Sequence, residues 1–130
     1  MPIRILVVDD DSTIRMLLRR VLEGRPEWQV CEAVNGRDAI EFIAEAAPDL
    51  VILDLSMPVM SGIQAAHEIS QSQPSLPLLL ITVQQVSDQL ADLARKSGFR
   101  GAITKNNGRE VVCAVEALLR NEVFFQQEAS

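Results

Sequence analysis

Apolar positions along the chain switch repeatedly between two spacings. Ile3–Val8 is a short, partly β-branched apolar run that stops abruptly at Asp9, which predicts a strand buried on both faces. Over residues 12–23 the period changes, with Ile14, Leu17, Leu18, Val21 and Leu22 at helical spacing. Asp11 or Ser12 is placed to cap that helix, and Gly24 with Pro26 to end it. Trp28–Ala33 reads as a second, weaker strand, and Asn35-Gly36 turns into a helix carrying Ala39, Ile40, Ile43 and Ala47, stopped by Pro48. Residues 50–53 form an all-apolar strand ending at Asp54. A loop over 55–61 holds Met57-Pro58, and a helix follows to about Ser70. Pro74 to Pro77 leads into a buried strand at 78–81, ended by Thr82. Val86, Leu90, Leu93 and Ala94 mark a helix closed by Gly98. Gly101–Thr104 is a short last strand ending at Lys105, and Asn107-Gly108 launches a helix with Val111, Val115, Leu118 and Leu119 on its faces.

Five strands alternating with five helices predict a parallel sheet covered on both sides, a doubly wound α/β sandwich. Such sheets bind ligands outside the carboxyl ends of their strands, near the point where strand order reverses. The first strand delivers Asp9, Asp10 and Asp11 to that edge, the third Asp54, the fourth Thr82 and the fifth Lys105.

Composition narrows the setting. At 130 residues the chain is one domain long, and 48% hydrophobic with 23% charged residues is an ordinary globular balance. Twelve Lys+Arg against 18 Asp+Glu leave a net charge of −6, which argues against a basic nucleic-acid face. The N-terminal apolar run is too short for a signal peptide, and no stretch reaches membrane length, so a cytoplasmic protein is expected. Cys31 and Cys113 read as buried thiols in a reducing compartment. His67 has no ligand partner at metal spacing, and no glycine-rich nucleotide cradle occurs. Val123, Phe124 and Phe125 read as a helix end packing on the body, or else as an interaction patch.

The strand-end residues define a chemistry. Converging carboxylates repel one another unless something positive intervenes, and oxygen-only donors select a hard cation, Mg²⁺ best of all. Lys105 adds a compact positive charge and Thr82 a hydroxyl donor, completing a Mg²⁺-dependent phosphoryl site. An Asp in such a site is itself a competent nucleophile, giving an acyl phosphate. Taken singly, each residue has an ordinary reading: a turn and N-cap, a loop acid, a β-branched strand residue, a surface lysine. Their placement on one sheet edge favours the joint reading.

Four segments carry a family likeness: ILVVDDDSTIR from Ile5, PDLVILDLSMPVMSG from Pro48, LLLITV from Leu78 and GAITKNN from Gly101. Together they resemble the receiver domains of two-component response regulators, chemotaxis-response-regulator-like, over nearly the whole chain. The resemblance implies a flavodoxin-like five-stranded sheet of order 2-1-3-4-5. It implies Asp54 as phosphoacceptor, attacking a phosphohistidine on a sensor histidine kinase or phosphotransfer protein. Asp9 and Asp10 would be the metal-binding pair, Asp10 direct and Asp9 through water, with Asp54 and the backbone carbonyl of Ser56 as further Mg²⁺ ligands. Thr82 would move to the phosphoryl oxygen on activation, and Lys105 would pair with the phosphate. Asp11 would be a spare acid and helix cap.

On this reading catalysis is confined to self-phosphorylation and autodephosphorylation, in a phosphorelay. Residues 1–122 are expected to form the receiver and 123–130 a tail, with no effector domain present. The domain would bind neither nucleic acid nor membrane itself. A phosphorylation-dependent dimer and a DNA-binding domain in a longer parent chain are both compatible with it.

Three departures stand out. Asn106 follows Lys105 where most receivers have a cis proline, so a trans Lys105–Asn106 bond is expected. Ala102 occupies the place of the family's switch aromatic, and Val83 follows Thr82 where a small residue is common. These predict intact phosphorylation, crowded access to the acyl phosphate and altered signalling through the last two helices. Two other readings stay open. One is a pseudo-receiver that acts only by docking; the other is a haloacid-dehalogenase-like phosphatase, whose second acid is replaced by Ser56.

Overall fold

The computed structural model describes residues 2–105 and 108–126. Strands and helices alternate as β1 (Ile3–Val8), α1 (Ser12–Leu22), β2 (Trp28–Ala33), α2 (Gly36–Ala46), β3 (Leu50–Asp54), α3 (Gly62–Ser72), β4 (Leu78–Thr82), α4 (Asp88–Ser97), β5 (Gly101–Thr104), α5 (Gly108–Leu119) and β6 (Phe124–Phe125). The sheet is parallel, in the order β2-β1-β3-β4-β5-β6.

Sheet residues alternate between two cores, as a period of two requires. Leu6, Val8, Val51, Leu53, Leu78 and Leu80 face one side, where α2, α3 and α4 supply Ala39, Ile43, Ala65, Ala66, Ile69 and Ala94. Ile5, Val7, Leu50, Ile52, Leu79 and Ile81 face the other, against Leu18 and Leu22 of α1 and Val111, Val115 and Leu118 of α5. Both faces of the inner strands are covered, which is why they read as continuous apolar runs. Each fully buried side chain of this size contributes about 1.5–3 kcal/mol of transfer free energy.

Local chemistry sets the helix starts. Asp11 caps α1 by accepting from Thr13 N–H at 2.9 Å, and Asn35 caps α2 by accepting from Asp38 N–H at 2.9 Å. Ser61 and Gln64 form a reciprocal capping box on α3, and Ser87 caps α4.

Two expectations are corrected. The sheet has a sixth strand, because Phe124 and Phe125 pack on the body as a strand alongside β5, not as a helix end. Cys113 is exposed and Cys31 half-buried; position 113 lies on the outer face of α5, opposite Val111, Val115 and Leu118. Among the described residues no helix is long and apolar enough to cross a membrane.

Candidate functional site

The sheet's register builds the site. Val8 of β1 pairs with Leu53 of β3, so the next residues, Asp9 and Asp54, emerge side by side where strand order reverses. Asp9 is completely buried and Asp54 is 5% exposed. Asp9 Oδ1 accepts the Asp11 N–H at 2.9 Å. Lys105 reaches across from the end of β5, its Nζ 2.8 Å from Asp9 Oδ2 and 3.0 Å from Asp54 Oδ1. Its own N–H donates to the Thr82 carbonyl at 2.8 Å, fixing the two strand ends together. Thr82 is buried, and its hydroxyl oxygen accepts the Gln84 N–H at 3.1 Å. Asp10 is exposed at the mouth.

Electrostatics follow from this crowding. Burial pushes the Asp54 carboxyl above its usual range and the neighbouring Asp9 adds to that, while Lys105 and the Ser56 N–H pull the other way. For Lys105, burial disfavours the ammonium, but hydrogen bonds and charge from Asp9 and Asp54 outweigh it and the net shift is upward. One lysine therefore serves two carboxylates. Asp9 Oδ2 lies within ion-pair reach of Lys105 yet is buried without a well-directed hydrogen bond. One carboxylate oxygen each from Asp9, Asp10 and Asp54 lies within 4.8 Å of the others. An under-satisfied, oxygen-only cluster of this kind could hold a hard divalent cation.

The surroundings hold residues that sequence reasoning missed. Arg15, on the first turn of α1, donates to the Asp9 carbonyl at 2.6 Å and to Glu32 Oε1 at 2.8 Å. Glu32 also pairs with Arg19 at 2.8 Å, which draws its carboxyl below the usual range. The only available signal was spacing: Arg15 lies four residues past the cap Asp11, and helical side chains lean toward the N-terminus.

Beneath Asp54, Gly62 tucks against the strand: a Cβ there would lie 2.2 Å from the Asp54 carbonyl oxygen. Within the loop at 55–61, Val59 holds φ at 71° and is 75% exposed, a conformation β-branched residues rarely adopt. Val83 stands in solvent at the rim, and Ala102 is fully buried in the core on the α2–α4 side. His67 is exposed on α3 beside Gln71. The Lys105–Asn106 bond lies outside the described residues.

A buried acid pair shared by one lysine, with a threonine at the neighbouring strand end, thus stands at the reversal point of a doubly wound sheet, where such folds place their ligand sites. Residues 5–116 match the response regulator receiver domain family, and the chain belongs to that family. It is 40% identical over 94 residues to the response regulator MprA of Mycolicibacterium vanbaalenii, covering 72% of this chain and 40% of that protein. It is 36% identical over 123 residues to the probable transcriptional regulatory protein TcrX of Mycobacterium tuberculosis, covering 92% of this chain and 50% of the relative. The chain thus spans about half the length, or less, of these curated relatives. Among solved structures, a two-component response regulator of the LuxR family from Aurantimonas sp. SI85-9A1 superposes with a TM-score of 0.90 at 33% identity, over 95% of this chain and 89% of that one. The protein is a receiver domain of two-component signalling.

Proposed function

We propose that this receiver accepts a phosphoryl group on Asp54 from a phosphohistidine of a sensor histidine kinase or phosphotransfer protein. The observation that carries the reading is the joint contact of Lys105 with Asp9 and Asp54 at the mouth of the reversal point. An Asp54 carboxylate oxygen attacks phosphorus, the P–N bond breaks, and the imidazole leaves with the electron pair. Lys105 moves its charge onto the incoming phosphoryl oxygens, and the Thr82 hydroxyl donates to one of them. Asp9, Asp10, Asp54 and the Ser56 carbonyl would hold Mg²⁺, whose charge would offset that of the phosphoryl oxygens. Burial of Asp9 and Asp54 keeps bulk water from competing with these contacts.

An apolar cleft of about 300 Å³ opens beside Lys105, lined by Ile14, Leu17, Leu18 and Val21 of α1 and by Gly108 of α5. It suits the apolar face of a partner helix docking beside Lys105. The protein acts in the cytoplasm, with no catalysis beyond its own phosphorylation and dephosphorylation. A DNA-binding effector domain in a longer parent chain belongs to the same reading, consistent with the name of one relative, a probable transcriptional regulatory protein of which this chain covers half.

The test is intact-mass measurement after incubation with Mg²⁺ and acetyl phosphate. One phosphoryl adduct, lost in Asp54→Asn and with Mg²⁺ chelated, is the expected result. No adduct in the wild type overturns the reading in favour of a docking-only module, and sustained turnover of many substrates overturns it in favour of a phosphatase.

A further inference from the structure

We propose that β6 is the output element of this chain: a strand clipped over the outer edge of β5 that comes loose when Asp54 is phosphorylated. The inference rests on the phosphoacceptor reading above and adds the element that responds to it.

The seat is built for this strand. Phe124 N–H donates to the Arg100 carbonyl at 2.9 Å, and Gln126 N–H to the Ala102 carbonyl at 2.9 Å. Gln126 Oε1 accepts the Thr104 N–H at 2.8 Å. The two phenylalanines straddle the edge, Phe124 packing with the core on the α5 side and Phe125 with the core on the α4 side. A Cβ at position 101 would lie 2.6 Å from the Phe124 carbonyl oxygen, so only glycine allows this approach. Ala102, fully buried, is the register partner of Phe125, and a large side chain at 102 would compete for the same space. The Arg95 guanidinium of α4 lies 4.1 Å from the Phe125 ring centroid, closing the outer side.

The seat is also releasable, and two of its fixed points are wired to the site. A short run of ladder bonds, one side-chain bond from Gln126 and two half-buried rings hold a two-residue strand, far less than holds the five-residue, fully buried β3 or β4. Thr104, which donates to Gln126, immediately precedes Lys105 and is the register partner of Thr82. Lys105 now divides itself between Asp9 and Asp54, and a phosphoryl group on Asp54 redistributes those contacts. The second route runs through α4. The Thr82 hydroxyl holds the Gln84 N–H, and Gln84 begins the segment that leads to α4 and Arg95. Recruiting that hydroxyl to a phosphoryl oxygen frees the segment and shifts the lid over Phe125. What release uncovers is a strand edge with the Arg100 and Ala102 carbonyls open to a new donor.

The experiment is amide hydrogen exchange by NMR on the full chain, with and without Mg²⁺ and beryllofluoride, and with ¹⁹F signals reporting the adduct on the same sample. Release predicts that Phe124 and Gln126 exchange at least about tenfold faster in the adduct, while Val7 and Ile52 are unchanged. Phe125→Ala should show fast exchange at Phe124 and Gln126 without beryllofluoride, with Val7 and Ile52 still protected, and should still form the adduct. An adduct with unchanged exchange at Phe124 and Gln126 overturns this proposal alone. Absence of the ¹⁹F adduct overturns both it and the phosphoacceptor reading.

Discussion

Strand β3 contains two regions with opposite designs. Leu50 to Leu53 are apolar, fully buried and packed into both cores, whereas the next residue, Asp54, is an acid buried beside another acid. The same division runs through β1, with Val8 followed by Asp9, and β4, with Ile81 followed by Thr82. The interior of the sheet is consistent with itself at every level, and the rim one residue further on departs from those packing rules. The interior supplies stability, and part of that stability is consumed in holding the rim's charges together.

The sharpest way to break this contrast is from below. Ile52→Ala leaves a cavity in the core on the α1–α5 side and should cost about 2–5 kcal/mol in urea unfolding. The folded fraction should nevertheless accept the phosphoryl group from acetyl phosphate as wild type does.

From above, the effects change sign. Asp54→Asn removes a charge that burial disfavours and should raise the melting temperature by a few degrees, while Mg²⁺ should protect it less than wild type. For wild type, a binding ion stabilises by about 2.7 kcal/mol at one hundred times its Kd. Calorimetry across a Mg²⁺ series checks both; equal Mg²⁺ protection of the two proteins would remove Asp54 from the metal site.

A smaller gain is expected in the loop below. Val59→Asn places a residue that tolerates positive φ at a 71° position and should stabilise by about 1 kcal/mol. Denaturant midpoints measure it.

The smallest effect lies at the outer end of β2. Glu32 is held below its usual value chiefly by its hydrogen bond to Arg19, with Arg15 adding to it. A carboxyl depressed in the folded state contributes stability present above the unfolded value near 4.5 and lost as pH falls through the folded one. Glu32→Gln should therefore cost about 0.2–1 kcal/mol at pH 7 and nothing measurable well below pH 4. A cost independent of pH would mean that the side chain acts through packing instead.

How much of this was legible in the sequence follows the same division. Inner strands announce themselves because covering both faces leaves no polar positions, and their ends announce themselves because a polar or charged residue there interrupts the run. Asp9, Asp54, Thr82 and Lys105 were found that way, and the structure brings them together. Arg15 was not, since an arginine on an amphipathic helix is unremarkable until its carbonyl partner is seen. β6 was not because two residues carry no period. Its identity is written on its neighbour, in Gly101 and Ala102, and only the sheet's geometry shows that these small residues make room for it.

The short connection to β6 has a consequence for competition. Only residues 120–123 separate α5 from β6, with Asn121 in the left-handed region turning the chain. A segment on so short a tether revisits its seat at an effective concentration of about millimolar. A strand from any other molecule must outcompete that concentration, so micromolar encounters leave the edge undisturbed. Ending the chain before Phe124 would abolish the tethered competitor and turn a unimolecular contest into an open bimolecular one.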